Sequence, residues 1–142
     1  MLRVYKEWYT VEKCGLEKDA LFIFGDNTVR RGTGGQARIR NLRNSVGIAT
    51  KQDPGIFFSD DDLARNITHI SKDIEKIEKF LKKGKTVYWP QDGIGTGLSN
   101  MKEKCPQTFI ILVLMIKSLF ERYGEVDTPP SPWGDEVIQA FT

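Results

Sequence analysis

An α/β domain in three layers, with a mainly parallel or mixed central sheet flanked by helices, is predicted by three features of this chain. Short apolar runs alternate with helical patterns from residue 20 onward. Two of those runs deliver glycine-rich segments, Gly32-Thr33-Gly34-Gly35-Gln36-Ala37 and Asp92-Gly93-Ile94-Gly95-Thr96-Gly97-Leu98. The length, 142 residues at 39% hydrophobic content, is that of one domain able to bury a sizeable core.

Taken in order, Arg3 to Val11 is rich in aromatic and β-branched residues and reads as a first strand. Ala20 to Gly25 holds the fully apolar run Leu21-Phe22-Ile23-Phe24, the pattern of a strand covered on both faces, and Asp26-Asn27 ends it. A short helix is expected from Gly34 to about Asn44, and Val46 to Thr50 resumes a strand that Lys51 leaves. After the polar loop 52–60, the cluster Asp60-Asp61-Asp62 is expected to cap a helix. In that helix Leu63, Ile67, Ile70, Ile74, Ile77 and Leu81 form one apolar stripe that ends near Gly84. Thr86 to Pro90 is a strand, and Gln107 to Tyr123 a long, largely apolar and therefore buried helix. Residues 1–124 are expected to form one compact domain, and 125–142, with three prolines near its start, a strap or a tail.

The charge is nearly balanced, 21 Lys and Arg against 19 Asp and Glu, which does not announce a nucleic-acid coat protein. Its distribution says more. Arg30, Arg31, Arg38, Arg40, Arg43 and Lys51 fall in a stretch from Asn27 to Gln52 with no acidic residue, as a site for an anion would have. Cys14 and Cys105 lie in no CxxC pattern and near no histidine cluster, so neither a zinc site nor a disulfide framework is implied, and no metal or cofactor is expected. The start lacks the apolar core of a signal peptide, and no apolar run reaches the length of a membrane span. A cytoplasmic protein with reduced thiols and no membrane partner is expected. The oligomeric state is left open.

Glycine allows a backbone to approach an anion closely and to aim successive N–H groups at it. One such loop is weak evidence, because glycine more often makes a turn. Two loops at equivalent strand ends point to a ligand with two phosphates, held beyond the carboxyl ends of the strands. The dinucleotide spacing GxGxxG is absent, and Gly84-Lys85-Thr86 enters a strand where a P-loop needs a helix.

Four segments in this order, Asn27, the GxGGxA-type loop, Ile48-Ala49-Thr50-Lys51 and Pro90 followed by Gly93-Ile94-Gly95-Thr96-Gly97-Leu98, resemble the macro domain, an ADP-ribose-binding module, over about residues 21–120. The likeness is to antitoxin macrodomains that remove ADP-ribose from DNA, and compact members with Phe-Gly-Asp-Asn and Gly-Gly-Gln-Ala look like ones found in phages. The resemblance implies that Asn27 bonds the distal ribose, with Asp26 and Thr50 beside it. It implies that Gly32, Gly34, Gly35, Gln36 and Ala37 wrap the diphosphate together with Gly93, Ile94, Gly95, Thr96, Gly97 and Leu98. Lys51 matches the lysine that acts at the anomeric carbon, where a neutral amine can open the sugar. The chain departs from the pattern after Leu98, where Ser99-Asn100 replaces the acidic residue of some relatives; Asp92 is the candidate replacement. It departs again before residue 20, where the Gly-Asp that contacts adenine is missing.

Each residue has a plainer reading: Asn27 and Asp92 as turn residues, Lys51 as a solvated surface lysine, and Trp8, Trp89 and Trp133 as packing. Phe57-Phe58 either packs or covers the ligand, and His69 sits on a helix away from both loops. Three functions follow: hydrolysis of an ADP-ribosyl bond to a nucleic-acid base or protein side chain; sequestration of ADP-ribose or a related nucleotide signal without turnover; and general nucleic-acid binding through the arginines.

Overall fold

A computed structural model describes residues 1–124. Five strands, β1 (Leu2–Tyr5), β2 (Leu21–Asn27), β3 (Ser45–Asp53), β4 (Ile56–Phe57) and β5 (Val87–Pro90), form one sheet in the order β1-β5-β2-β3-β4. The first four in that order run parallel and β4 returns antiparallel to β3, so the sheet is mixed, as the alternating pattern predicts. The expected tail or strap, including Trp133, lies outside the described residues.

Two apolar clusters cover the two faces of the sheet, because neighbouring residues of β2 point to opposite sides. Leu21 and Ile23 join Trp89, Ile94 and the inner faces of α2 (Leu63–Lys82) and α4 (Pro106–Tyr123). Phe22 and Phe24 join Tyr9, Cys14, Ala37 and Ile39 on the other side, beneath α1 (Val11–Leu16) and a single 3₁₀ turn, Gly35–Ile39. Helices on both sides of a sheet make the three layers. The two free cysteines are buried in different clusters, so the sheet separates them.

Several boundaries differ from the sequence expectation, each for a local reason. The first strand stops at Tyr5 instead of Val11; the Thr10 side chain accepts from the Lys13 N–H and starts α1. The helix expected over 34–44 is only Gly35–Ile39, and the loop 52–60 contains the short hairpin strand β4. Between Asp26 and Asn27 the register with β3 slips by one residue, so that Thr50 is the extra residue of a bulge. Its hydroxyl donates to the Asp26 carbonyl at 3.0 Å and fixes the slip.

The acidic cluster before α2 acts differently from the predicted cap. Asp60 reaches across to α4, where its carboxylate accepts from the N–H groups of Gln107 and Thr108 and from the Thr108 hydroxyl at 2.8–3.0 Å. Burial pushes the Asp60 carboxyl up, and these three hydrogen bonds outweigh it, so its pKa lies below the usual aspartate value. A depressed carboxyl contributes stability that is present above its unfolded-state pKa and disappears as pH falls through the folded one. Asp60→Ala is therefore expected to lower stability by about 1 kcal/mol at pH 7 and to flatten the decline below about pH 4, read by urea denaturation at pH 7 and pH 3; an equal loss at both would remove the capping assignment.

Candidate functional site

The carboxyl ends of the parallel strands β5, β2 and β3 open into one cleft of about 370 Å³. Both glycine segments line it, with Gly25, Asp26 and Asn27 at the end of β2, Thr50 and Lys51 at the end of β3, and Arg31, Arg40, Pro54 and Ser99 around them. The predicted residues are thus brought together. What each side chain does there differs from residue to residue.

Each loop is anchored beneath and spare above. The segment after β5 is pinned by Ile94, whose side chain is in the core, by the Gly93 N–H on the Pro90 carbonyl, by the Thr96 hydroxyl on the Asp92 carbonyl, and by the Met101 N–H on the Gly95 carbonyl. The segment after β2 is pinned by Ala37 and Ile39 in the other cluster. Among the described residues, the main-chain N–H groups of Gly95, Thr96, Gly97, Leu98 and Ser99 donate to no protein acceptor, and neither do those of Gly32, Thr33, Gly34, Gly35 and Gln36. Runs of unspent N–H groups at a concave backbone are anion sites. The helices expected to follow the loops are short: one 3₁₀ turn after the first, and α3 (Met101–Lys104) after the second. The loop backbone itself is therefore the source of positive potential.

Two of the glycines are not required by the protein. Gly34 has φ −80°, open to any residue, and a Cβ there would meet nothing within 4 Å. Gly97 is likewise outside the positive-φ region with open space where a Cβ would stand. At Gly95, in contrast, φ is +89° and a Cβ would come within 2.7 Å of the Met101 sulfur.

Gln36 connects the two loops. Its Nε2 donates to the Asp92 carboxylate and the Gly93 carbonyl, both at 2.8 Å, and its Oε1 accepts from the Gly25 N–H at 2.9 Å. One amide thus fixes the width of the cleft against the end of β2. Asn27 is used similarly: its amide donates to the Arg31 carbonyl at 2.8 Å and closes the turn 27–31, the turn role that was the alternative to ribose binding. Asp26 is buried, with Arg40 at 2.5 Å and Arg30 at 3.0 Å on its carboxylate. Arg30 also reaches Asp73 at 2.6 Å, whose other oxygen accepts from the Ala49 N–H. The burial of Arg30 pushes its pKa down, but the two aspartates raise it overall. This network takes two arginines out of the expected positive patch and leaves Arg31 and Arg38 exposed beside the cleft.

Lys51 stands at the rim, its Nζ donating to the Pro54 carbonyl at 2.6 Å and lying 4.9 Å from the centre of the Phe57 ring. Lys104 approaches the same ring at 4.9 Å. In this position the Lys51 amine is a donor, and attack on a carbon requires the bond to Pro54 to open. Asp92 is exposed, and Leu98 stands at the mouth, 85% exposed. Of the aromatic residues expected to pack, Trp89 and Phe58 are buried, but Trp8 is 64% exposed. It lies with Glu7, Tyr9, Arg38, Pro90 and Gln91 around a second cavity of about 110 Å³ that shares Gly35, Gln36 and Asp92 with the cleft. The sequence contained no signal for this annex, because its walls come from three separate segments, those after β1, in the 3₁₀ turn and at the end of β5.

Fold and site together define an α/β domain with a glycine-lined cleft at the carboxyl edge of its sheet. Residues 4–115 match a family of unknown function, DUF7831, and the chain belongs to that family. No curated protein and no solved structure matches it. The macro-domain assignment is thereby corrected: the family match is to DUF7831 and not to a macro-domain family. Glycine turns after parallel strands recur wherever an α/β sheet presents its carboxyl edge to an anion, so motifs of this kind are shared more widely than ancestry. Among the described residues no helix is long and apolar enough to cross a membrane, and no cluster of metal-binding side chains is present.

Proposed function

We propose that the chain binds a nucleoside diphosphate carrying a second sugar, the chemistry of an ADP-ribosyl group, with the diphosphate lying between the two glycine loops. The observation that carries this reading is the pair of unspent N–H runs in the two loops that line one cleft, with glycine at 34 and 97 where nothing inside the protein demands it. A volume of about 370 Å³ suits a ligand of that size. Arg31 and Lys51 on the rim supply charge, and a cytoplasmic setting fits the two free thiols. Sequestering such a nucleotide, in the cell or as a phage counter to a nucleotide signal, needs no further chemistry. Thermal unfolding tests the reading: at a hundredfold excess over Kd, ADP-ribose is expected to raise Tm by about 8 °C. No shift with ADP-ribose, ADP or pyrophosphate would sink it.

Lys51 and Asp92 lining the same cleft favour a second reading, release of ADP-ribose from DNA or protein. Water adds at the anomeric carbon, the bond to the base or side chain breaks, and the leaving group takes the proton, with Lys51 and Asp92 as the groups that position and transfer it. Lys51→Ala is then expected to abolish release while retaining most binding. Release that is unchanged in both Lys51→Ala and Asp92→Ala removes these two residues from the chemistry, and absence of release by the wild type leaves sequestration as the function.

A further inference from the structure

We propose that the annex beside the cleft seats the nucleobase of this ligand, a fused two-ring purine stacked on Trp8. The proposal rests on the binding reading above and adds which end of the ligand points where. A tryptophan 64% exposed in a domain that buries its other described indole completely is an apolar surface that the described residues leave largely uncovered. It lines a cavity, and two other lining residues of that cavity are tied to the main chain. The Tyr9 hydroxyl is tied to the Ile23 carbonyl at 2.7 Å, and the Arg38 Nε to the Gly35 carbonyl at 2.8 Å, which holds the guanidinium at the wall. Indole and guanidinium planes are the two surfaces on which bases stack.

The dimensions agree. At about 10–15 Å³ per water-sized group, 110 Å³ takes roughly seven to eleven of them, a range that includes the nine ring atoms of a purine. The annex and the cleft meet at Gly35, Gln36 and Asp92, so a ribose has only that ridge to cross between base and diphosphate. Gly35 leaves the crossing open, since a Cβ there would meet nothing within 4 Å. One Asp92 oxygen is held by Gln36; with the base in the annex the other is an acceptor for the ribose next to the base. This orientation goes with the binding reading and takes Asp92 away from the distal sugar, leaving Lys51, which lines the cleft and not the annex, at that end.

Calorimetric titration of ADP, UDP and pyrophosphate into the wild type, Trp8→Ala and Trp8→Phe tests this. Expected are tighter binding of ADP than of UDP, a weakening of ADP by about tenfold or more in Trp8→Ala, near recovery in Trp8→Phe, and pyrophosphate affinity unchanged throughout. Equal ADP affinity in the wild type and Trp8→Ala overturns the base site while leaving diphosphate binding intact. Equal affinity of the wild type for ADP and pyrophosphate does the same. Binding of neither to the wild type removes the parent reading and this one together.

Discussion

Asp26→Ala is expected to lower the free energy of unfolding by about 3 kcal/mol. The Asp26 side chain is 2% exposed and is the shared anion of Arg40 and Arg30, while Arg30 continues to Asp73, which holds the Ala49 N–H of β3. Removing one member of a buried pair costs about 3–5 kcal/mol, because the charge left behind stays out of water. Arg40, 15% exposed, is left in that position, whereas Arg30 at 38% regains some solvent, which sets the expectation near the lower end. Gly47 gives an independent handle. A Cβ there would lie 2.6 Å from the Asp26 Cβ and 2.7 Å from its Cγ, so Gly47→Ala displaces the same carboxylate. Its cost, about 2 kcal/mol from overpacking and a disturbed pair, should largely vanish in the Asp26→Ala background. Urea denaturation of the four proteins, with m unchanged, measures this coupling. Additive losses would mean that Gly47 is required for another reason.

That network marks the limit of what a linear reading reaches. The strands β2, β3 and β5 and the helices α2 and α4 were legible because apolar periodicity is local, and the cleft was legible because glycines at two strand ends are a local statement about backbone. Partnerships across the fold were not. A run of arginines from 30 to 43 reads as one positive patch, yet Arg30 and Arg40 turn inward to aspartates 26 and 73, and only the folded sheet brings those together. Asp60 looks like a cap for the helix that follows it and caps another helix 46 residues on. Gln36 has the same character: as a residue of a glycine loop it suggests ligand contact, but among the described residues its side-chain amide bonds Gly25, Asp92 and Gly93. The family resemblance failed for a related reason, since strand-end glycines report what the backbone must do and not the lineage that made it do so.

Gly34→Val and Gly97→Val are expected to abolish ligand binding, with affinity down about a hundredfold or more, and to leave Tm within about 2 °C of the wild type. Neither position has the positive φ that would exclude a side chain, and neither Cβ would come within 4 Å of a neighbouring group. On the proposed reading, methyl groups added there hold a diphosphate away from the N–H groups of its loop, and separating an anion from several donors forfeits charge-assisted bonds together. Gly95→Ala is the contrasting case. At φ +89°, with Met101 and the Phe109 ring at 2.7 and 3.1 Å from the added atom, it combines backbone strain with a clash and should cost about 2–4 kcal/mol of stability. The three variants separate two reasons for glycine in one cleft, closeness to a ligand and conformation of the chain. If Gly34→Val and Gly97→Val bind ADP-ribose as the wild type does, the open faces of both loops have no anion to meet, and the diphosphate reading falls with them.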